Sequence, residues 1–228
     1  MSNDTVVLIP ARGGSKRVPR KNICDLNGFP LISYTINLAL RLDIPTYVST
    51  EDKEIADISR FYGANVIDRP KEYADDSSLD VAWIRHALYI LREKENWKPT
   101  KIIFLRPTTP LRSLKTVKTA IKLFTDYYTS MRSVEELPEA IEKTLRLRNG
   151  FLKSPFEDEE VSLLPNQSFE PSYKANGYID IVRSQYVMLH GDLYGKRCRG
   201  IITPRTVEID TMEDLEYAKY LLEKHIYI

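Results

Sequence analysis

The sequence contains few of the residues that form stabilising disulfides in small folds or bind structural metals. It has two cysteines, Cys24 and Cys198, and three histidines among 228 residues. The cysteines form neither a CxxC pair nor a zinc-ligand spacing, so we expect free thiols in a reducing compartment. A chain of this length can bury a substantial core without disulfides or structural metals.

Net charge is also nearly absent, because 33 Lys and Arg residues face 32 Asp and Glu residues, which gives +1. This balance argues against a protein that coats nucleic acid without sequence preference, so we expect no nucleic-acid partner. No apolar run approaches the roughly 20 residues that cross a bilayer, and the first residues lack the pattern of a secretory signal. We therefore expect a cytoplasmic protein with no membrane partner and a single domain over residues 1–228.

Short apolar runs alternate with amphipathic segments over the first 130 residues. The predicted strands are Val6–Ile9, Thr46–Ser49, Asn65–Ile67 and Lys101–Leu105, and the predicted helices are Pro30–Leu42, Glu54–Tyr62, Leu79–Glu95 and Leu114–Tyr128. This alternation predicts an α/β fold, a three-layer sandwich with a mainly parallel, Rossmann-like sheet. In such sheets, ligands bind in the loops outside the carboxyl ends of the strands.

The alternation breaks within residues 131–173. Two short strand candidates, Thr144–Leu147 and Phe151–Lys153, flank Asn149-Gly150, a dipeptide typical of two-residue hairpins. We interpret the segment as an insertion that projects from the core. It either forms a subunit contact, which would give a homodimer, or is a surface flap. Further strands are predicted at Tyr178–Val182, Ile201–Ile202 and Val207–Ile209, before a final helix that Thr211 caps.

The loop after the first predicted strand, ARGGSKRVPRKN at residues 11–22, is unusually basic. Its cationic side chains are Arg12, Lys16, Arg17, Arg20 and Lys21. Gly13 and Gly14 allow a tight turn that brings backbone N–H groups close to a ligand, and Ser15 adds a hydroxyl group. The loop therefore predicts a polyphosphate cradle, and the alternative is a solvated basic turn. Neither GxxxxGK[ST] nor GxGxxG is present.

The segment IPARGGSKRVPRKNI resembles the N-terminal signature of the CMP-sialic acid synthetases, also called acylneuraminate cytidylyltransferases. The similarity continues through DLNGFPLISYTI, VSTEDKEIADISRFYGANVIDRP, FLRPTTPLR, YKANGYIDI and VEIDTMEDL, and so extends along nearly the whole chain. This resemblance implies transfer of CMP from CTP to the anomeric hydroxyl of a nonulosonic, sialic-acid-like sugar, with release of pyrophosphate. It also implies Mg2+ as a cofactor.

The resemblance also implies roles for individual residues. The nucleotide would be held by Arg12, Gly13, Gly14, Ser15, Lys16, Lys21, Asn22, Arg69, Ser78 and Asp80. Arg12, Lys16 and Lys21 would be catalytic, together with Asp210. Backbone carbonyls of Ser78 and Asp80 would accept from the exocyclic amine of cytosine. The acceptor, a 2-keto-3-deoxy acid sugar, would contact Arg106, Tyr173, Lys174, Asn176 and Gly177.

Glu208 and Asp210 lie two residues apart on a predicted strand, so their side chains would share one face. A pair of carboxylates is a fitting platform for Mg2+, which prefers oxygen ligands. The family typically has two aspartates here, and this chain has Glu at the first position. The alternative is an exposed strand edge beside the dipole of the final helix.

Two positions depart from the family pattern on the acceptor side. Arg106 stands where the family generally has Gln, and Asn166 stands where an Arg is expected. We hypothesise that Arg106 has taken over recognition of the acceptor carboxylate or of an acyl substituent. The alternative is that Arg106 pairs with an acid such as Asp180. The identity of the sugar therefore stays open at this point.

Two other functions remain alternatives. One is activation of the eight-carbon 3-deoxy-octulosonate, although enzymes of that branch usually carry an Asp in the loop where this chain has Thr108. The other is a nucleotide-binding protein without catalysis, against which the presence of Lys16, Lys21, Glu208 and Asp210 argues.

Overall fold

The computed structural model describes residues 4–75, 79–156 and 160–224. Its strands are β1 (Thr5–Pro10), β2 (Asp25–Leu26), β3 (Phe29–Pro30), β4 (Thr46–Thr50), β5 (Asn65–Asp68), β6 (Lys101–Phe104), β7 (Ser130–Glu136), β8 (Arg146–Arg148), β9 (Phe151–Lys153), β10 (Tyr173–Arg183) and β11 (Cys198–Ile202). Its α-helices are α1 (Leu31–Leu40), α2 (Lys53–Phe61), α3 (Asp80–Glu95), α4 (Leu114–Leu123), α5 (Ser184–His190) and α6 (Met212–Glu223).

Seven strands form the central sheet, in the order β11-β7-β10-β6-β1-β4-β5. Strand β10 runs antiparallel to both of its neighbours, β6 and β7. The remaining neighbours in the sheet pair in parallel. The predicted α/β fold with a mainly parallel sheet is therefore confirmed.

Strand β1 shows why the sheet has a helical layer on each face. Val7 and Ile9 belong to an apolar cluster with Ile36 of α1. Val6 and Leu8 point the other way and belong to a second cluster, which includes residues of α3 and α5. Because successive side chains of a strand alternate between faces, a continuous apolar run suits a strand that is covered on both sides.

The inserted segment begins later than the sequence predicts. Residues 130–136 form β7, which lies inside the central sheet, so the part that leaves the sheet is residues 137–172. The hairpin within it is confirmed, since β8 pairs with β9. Asn149 and Gly150 have φ angles of 50° and 83°, the positive values that a two-residue turn of this kind requires.

Other differences concern the C-terminal third of the chain. Val207–Ile209 is not a strand, and the backbone N–H of Ile209 instead donates to the Thr108 carbonyl at 2.7 Å. Ile209 is buried because it packs in a third cluster with Val18 and Leu215, which explains its strand-like pattern. The helix α5 was not predicted, and α4 ends five residues before the predicted end at Tyr128.

Helix α6 begins as predicted. Thr211 is its N-cap, and Thr211 and Asp214 form a reciprocal capping box. Within the described ranges, none of the helices has the length and the apolar character that a bilayer crossing requires.

Candidate active site

A cleft of about 510 Å³ opens beside the carboxyl ends of β1, β5 and β6. Of the residues predicted to bind substrates, it is lined by Arg12, Ser15, Lys16, Lys21, Asn22, Arg69, Asp80 and Arg106. The fold thus brings the basic loop, the segment after β5, the start of α3 and the loop after β6 around one space. This is the location that a parallel sheet offers to a ligand.

The far end of the basic loop is anchored to helix α2. Arg20, at a left-handed φ of 52°, donates to the two carboxylate oxygens of Asp52 at 2.5 and 2.9 Å and to Glu54 at 2.6 Å. Asp52 is also the N-cap of α2 and accepts from the backbone N–H of Ile55. The hydrogen bonds from Arg20 hold the pKa of Asp52 at about 2. Arg20 is therefore a structural member of the loop.

Gly13 has a different role from the predicted one. Its backbone N–H donates to Glu51 Oε1 at 2.7 Å, so this amide is already engaged by the protein. A Cβ at Gly13 would lie 2.4 Å from Asp52 Oδ2, whereas one at Gly14 would meet no atom within 4 Å. Gly13 lets the loop approach α2 closely. Neither glycine is among the residues that line the cleft.

Lys21 connects the basic loop to the C-terminal acidic motif. Its Nζ donates to Asp210 Oδ1 at 2.8 Å and to the Ile209 carbonyl at 3.1 Å. Arg17 pairs with the other oxygen of Asp210 at 3.3 Å. Asn22 is buried and donates to the Arg12 carbonyl at 2.8 Å, which ties the two ends of the loop together. The predicted catalytic lysine and the predicted metal ligand thus lie in direct contact.

Arg69, in the segment after β5, also lines the cleft. It is buried, donates to Ser49 Oγ at 3.1 Å and to the Ser49 carbonyl at 2.6 Å, and lies over the Trp83 ring at 5.1 Å. Desolvation lowers its pKa to about 10. These contacts fix the guanidinium at the wall of the cleft, and the nucleotide contact of Arg69 stays a prediction. Ser78, predicted to contact the same base, lies outside the described residues.

Asp80 and Arg106 form an ion pair at the boundary of the cleft. Arg106 donates to Asp80 Oδ2 at 2.9 Å and to Asp180 Oδ2 at 2.8 Å. The other Asp80 oxygen accepts from Trp83 Nε1 at 3.0 Å. Asp180 is 1% exposed and also accepts from the Tyr194 hydroxyl at 3.2 Å. The alternative pairing of Arg106 with Asp180 is therefore confirmed, and the acceptor contact of Arg106 stays a prediction.

The segment YKANG is only partly arranged as the sequence predicts. Asn176 is buried, donates to Thr203 Oγ1 at 2.8 Å and accepts from the backbone N–H of Tyr178 at 3.2 Å. Both ends of its amide thus help to shape the irregular part of β10, and its contact with the acceptor stays a prediction. Lys174 pairs with Glu135 at 3.1 Å, and the exposed Tyr173 does not line the cleft.

Gly177 lies beside the acidic motif. Its φ is 65°, and a Cβ there would lie 3.2 Å from Thr109 Oγ1, 3.6 Å from Glu208 Oε1 and 3.7 Å from Arg106 Cδ. A side chain at this position would therefore be strained and would crowd the space between Glu208 and Arg106. Gly177 leaves the backbone of β10 open towards the acidic motif.

Asp210 is close enough to Glu208 to affect the ionisation of the Glu208 carboxyl. Desolvation, followed by the repulsion of Asp210, raises the pKa of Glu208 above the ordinary glutamate value. A cation would relieve this repulsion, so the pair fits a hard divalent ion that takes the rest of its ligands from phosphate and water. Across the described ranges, no group of three or more His, Cys, Asp or Glu side chains could hold a metal.

Sequence reasoning assigned no role to Arg112 or Trp83, although both help to form the site. Trp83 supports Arg69 and Asp80, and Arg112 joins the loop after β6 to β10. Asp180 was named only as a possible partner of Arg106. An acidic residue within the apolar run YIDIV was the signal for a buried ion pair, because a buried carboxylate requires a partner.

Comparisons with known proteins agree with this geometry. The profile of the family described as "Cytidylyltransferase" matches residues 6–228. Pseudaminic acid cytidylyltransferase from Campylobacter jejuni is 31% identical over 220 residues, which are 94% of this chain and 94% of the relative. CMP-N,N'-diacetyllegionaminic acid synthase from Legionella pneumophila is 29% identical over 96% of each chain. N-acylneuraminate cytidylyltransferase from Escherichia coli is 28% identical over 98% of this chain and 53% of its own length.

Solved structures share the fold at lower identity. CMP:2-keto-3-deoxy-manno-octonic acid synthetase complexed with CTP has a TM-score of 0.72 at 18% identity, over 97% of this chain and 99% of that chain. A 4-diphosphocytidyl-2C-methyl-D-erythritol synthase has a TM-score of 0.68 at 11% identity, with the same two coverages. With the family profile spanning the sheet, the basic loop and the acidic motif, this chain belongs to the cytidylyltransferase family.

Proposed function

We propose that the protein transfers CMP from CTP to the anomeric hydroxyl of a nonulosonic acid and releases pyrophosphate. The observation that carries this proposal is the contact between Lys21 and Asp210, which joins a basic nucleotide cleft to an acidic motif. Full-length relatives named for pseudaminic and N,N'-diacetyllegionaminic acid support a nonulosonic acid as the acceptor.

The basic loop would act on the triphosphate. Arg12, Lys16 and Lys21 line the cleft and neutralise phosphate charge, which favours departure of pyrophosphate. The anomeric oxygen forms a bond to the α-phosphorus, the bond from that phosphorus to the bridging oxygen of the β-phosphate breaks, and the hydroxyl proton leaves to solvent. Holding both reactants in line is the main contribution that the protein makes.

Glu208 and Asp210 would hold Mg2+ next to Lys21. The ion supplies additional positive charge to the phosphates when it is bound. Lys21 and Arg17 each contact one oxygen of the Asp210 carboxylate and so orient it, and Gly177 leaves space beside Glu208. These contacts connect the acidic motif to the basic loop, whose residues Lys21 and Arg17 line the nucleotide cleft.

The acceptor would extend into a second cavity, of about 280 Å³, that shares Asp80 and Arg106 with the nucleotide cleft. Arg132, Leu193 and Tyr194 also line it. A guanidinium group has five N–H donors, and the two ion pairs of Arg106 use two of them. Arg106 is thus able to keep its carboxylate partners and still donate to an acceptor.

Arg106→Gln is expected to lower the free energy of unfolding by about 3–5 kcal/mol, because buried Asp180 loses the guanidinium that donates to it and keeps only the longer ion pair with Arg132 at 3.9 Å. Adding Asp180→Asn is expected to restore most of the stability, which thermal unfolding will show. In this double variant we expect the KM for the acceptor to stay raised on the order of tenfold, with the KM for CTP nearly unchanged. A wild-type acceptor KM in the double variant would show that Arg106 serves only to balance Asp180.

Pyrophosphate release from CTP tests the proposed reaction. The acceptors are pseudaminic, legionaminic and N-acetylneuraminic acids and 3-deoxy-octulosonate, each assayed with and without Mg2+, and UTP replaces CTP as a control. We expect release that requires CTP and a nonulosonic acid together. Turnover of 3-deoxy-octulosonate alone would favour that rival reaction. Binding of CTP without turnover of any acceptor would favour the non-catalytic alternative.

The projecting segment, residues 137–172, supports a homodimer. It exposes large apolar side chains, among them Leu147 at 70%, Phe151 at 71% and Leu163 at 80%. Leu147 is paired with Leu152, which is 65% exposed, across β8 and β9, so these two apolar side chains share one face of the hairpin. An exposed apolar pair of this kind is typical of a protein contact. A two-fold contact between the projecting segments of two copies would cover these apolar side chains.

Light scattering is expected to show a dimer at micromolar concentration. The double change Leu147→Lys with Leu152→Lys is expected to shift the protein to a monomer, because these two residues share one face of the hairpin and the change places four like charges in the contact of two copies. Leu189→Lys, at a side chain of α5 that is also 70% exposed, is the matched control and should remain dimeric. A fully active wild-type monomer would rule out the projecting segment as a dimer contact.

A further inference from the structure

The guanidinium group of Arg112 joins two loops on the acceptor side of the cleft. Nε donates to the Tyr178 carbonyl at 2.6 Å. One terminal nitrogen donates to the carbonyls of Arg106 at 2.6 Å and Gly177 at 3.1 Å, and the other to Thr35 Oγ1 at 3.1 Å. Four of its five N–H donors are therefore used within the protein.

None of these four acceptors is a carboxylate. Three are backbone carbonyls, and desolvation lowers the pKa of Arg112, so the environment opposes its charge. Placing a cation against neutral groups costs free energy unless its hydrogen bonds are well satisfied. An arginine suits such a position because its planar fork donates in several fixed directions at once, whereas a lysine offers a single point charge.

The segments that Arg112 joins are those that flank the proposed acceptor. Arg106 lies between the nucleotide cleft and the second cavity, and Gly177 lies beside Glu208. Strand β10 is irregular between Ala175 and Asp180, so sheet hydrogen bonds alone do not fix Gly177 and Tyr178. Arg112 connects this irregular stretch to the loop after β6, and the backbone N–H of Ser113 adds a hydrogen bond to the Tyr178 hydroxyl.

We propose that Arg112 is a positioning residue that sets the distance between Arg106 and Gly177 and thereby shapes the acceptor site. Arg112 does not line the nucleotide cleft, and its donors are directed at the protein. It acts through the backbone of the two loops. The effect on acceptor kinetics rests on the proposed function, whereas the effect on loop order does not.

Hydrogen exchange of the whole protein separates these two consequences. In Arg112→Lys, which keeps the charge and loses the fork, we expect amides of residues 106–113 and 176–179 to exchange at least tenfold faster, with β1 and β4 unchanged. The acceptor KM should rise at least tenfold, and the dissociation constant of CTP without acceptor should change less than threefold. Arg199→Lys, at an arginine that donates to the Tyr128 hydroxyl away from the cleft, is the control and should match the wild type.

Thr35→Val provides a second variant if Arg112→Lys folds poorly, because it removes one hydrogen bond and keeps the arginine. Thr35→Val should also speed amide exchange in the two segments and raise the acceptor KM, but by smaller factors than Arg112→Lys. Unchanged exchange in the two segments in both variants would overturn the proposal, and so would exchange that rises equally throughout the sheet. Faster local exchange in a protein whose wild type turns over no nonulosonic acid would support the positioning role and refute the proposed acceptor.

Discussion

Replacing Asp210 with Asn is expected to reduce turnover by roughly 10³-fold or more, because a bound metal supplies several kcal/mol of transition-state stabilisation. Asparagine has nearly the same size, but it loses the charge that attracts both Lys21 and the proposed cation. The fold should persist, since the Thr211–Asp214 capping box does not involve the Asp210 side chain. Steady-state rates over a range of Mg2+ concentrations, together with thermal unfolding, measure these effects.

Two comparisons make this result specific. Glu208→Asp should be tolerated, because it restores the pair of aspartates typical of the family, and Glu213→Gln on the first turn of α6 should be silent. Full activity of Asp210→Asn, or wild-type activity that EDTA leaves undiminished, would show that the acidic motif is structural.

Lys21→Ala is expected to lower kcat/KM for CTP by about 10²–10³-fold, which corresponds to the roughly 3–4 kcal/mol that one preorganised donor contributes to a transition state. Its side chain is only 13% exposed and is held by Asp210 and the Ile209 carbonyl, so it is fixed before the nucleotide binds. Arg12→Ala is expected to act in the same direction, since Arg12 lines the same cleft. Both are measured by varying CTP at saturating acceptor.

Arg17 is the matched control for Lys21. It contacts the same carboxylate at 3.3 Å, but its side chain is 66% exposed, and exposed ion pairs contribute little. Arg17→Ala should therefore cost much less than Lys21→Ala. Unaltered kcat/KM for CTP in both Lys21→Ala and Arg12→Ala would refute the phosphate cradle.

The sequence predicts those parts of the fold whose local pattern matches their final environment. The run Val6–Ile9 is apolar throughout because both faces of β1 are covered, and Asn149-Gly150 predicts its hairpin because few other dipeptides accept two positive φ angles. The antiparallel direction of β10 has no such local signature. Strand direction depends on the path of the connecting chain, which an apolar run does not encode.

Some features of the candidate site also have a local signal in the sequence, and others do not. The density of charge in ARGGSKRVPRKN indicates an anion, and Arg12, Lys16 and Lys21 do line the cleft. The pattern cannot tell that Arg20 and the Gly13 amide are engaged by acids of the 51–54 segment, because those partners follow 30 or more residues later. The structural roles of Asn176 and Arg112 have no local signal for the same reason, since their bonding partners come from distant segments.

Following the anomeric oxygen of the acceptor tests the central claim most directly. The enzyme is incubated with CTP, Mg2+ and a nonulosonic acid that carries ¹⁸O at the anomeric hydroxyl. The products are then separated, and mass spectrometry determines the ¹⁸O content of each. If that oxygen attacks the α-phosphorus, the label will be in the bridge of a CMP-linked sugar and the pyrophosphate will be unlabelled. Absence of a CMP-linked sugar, or a product whose bridge lacks the label, would contradict the account.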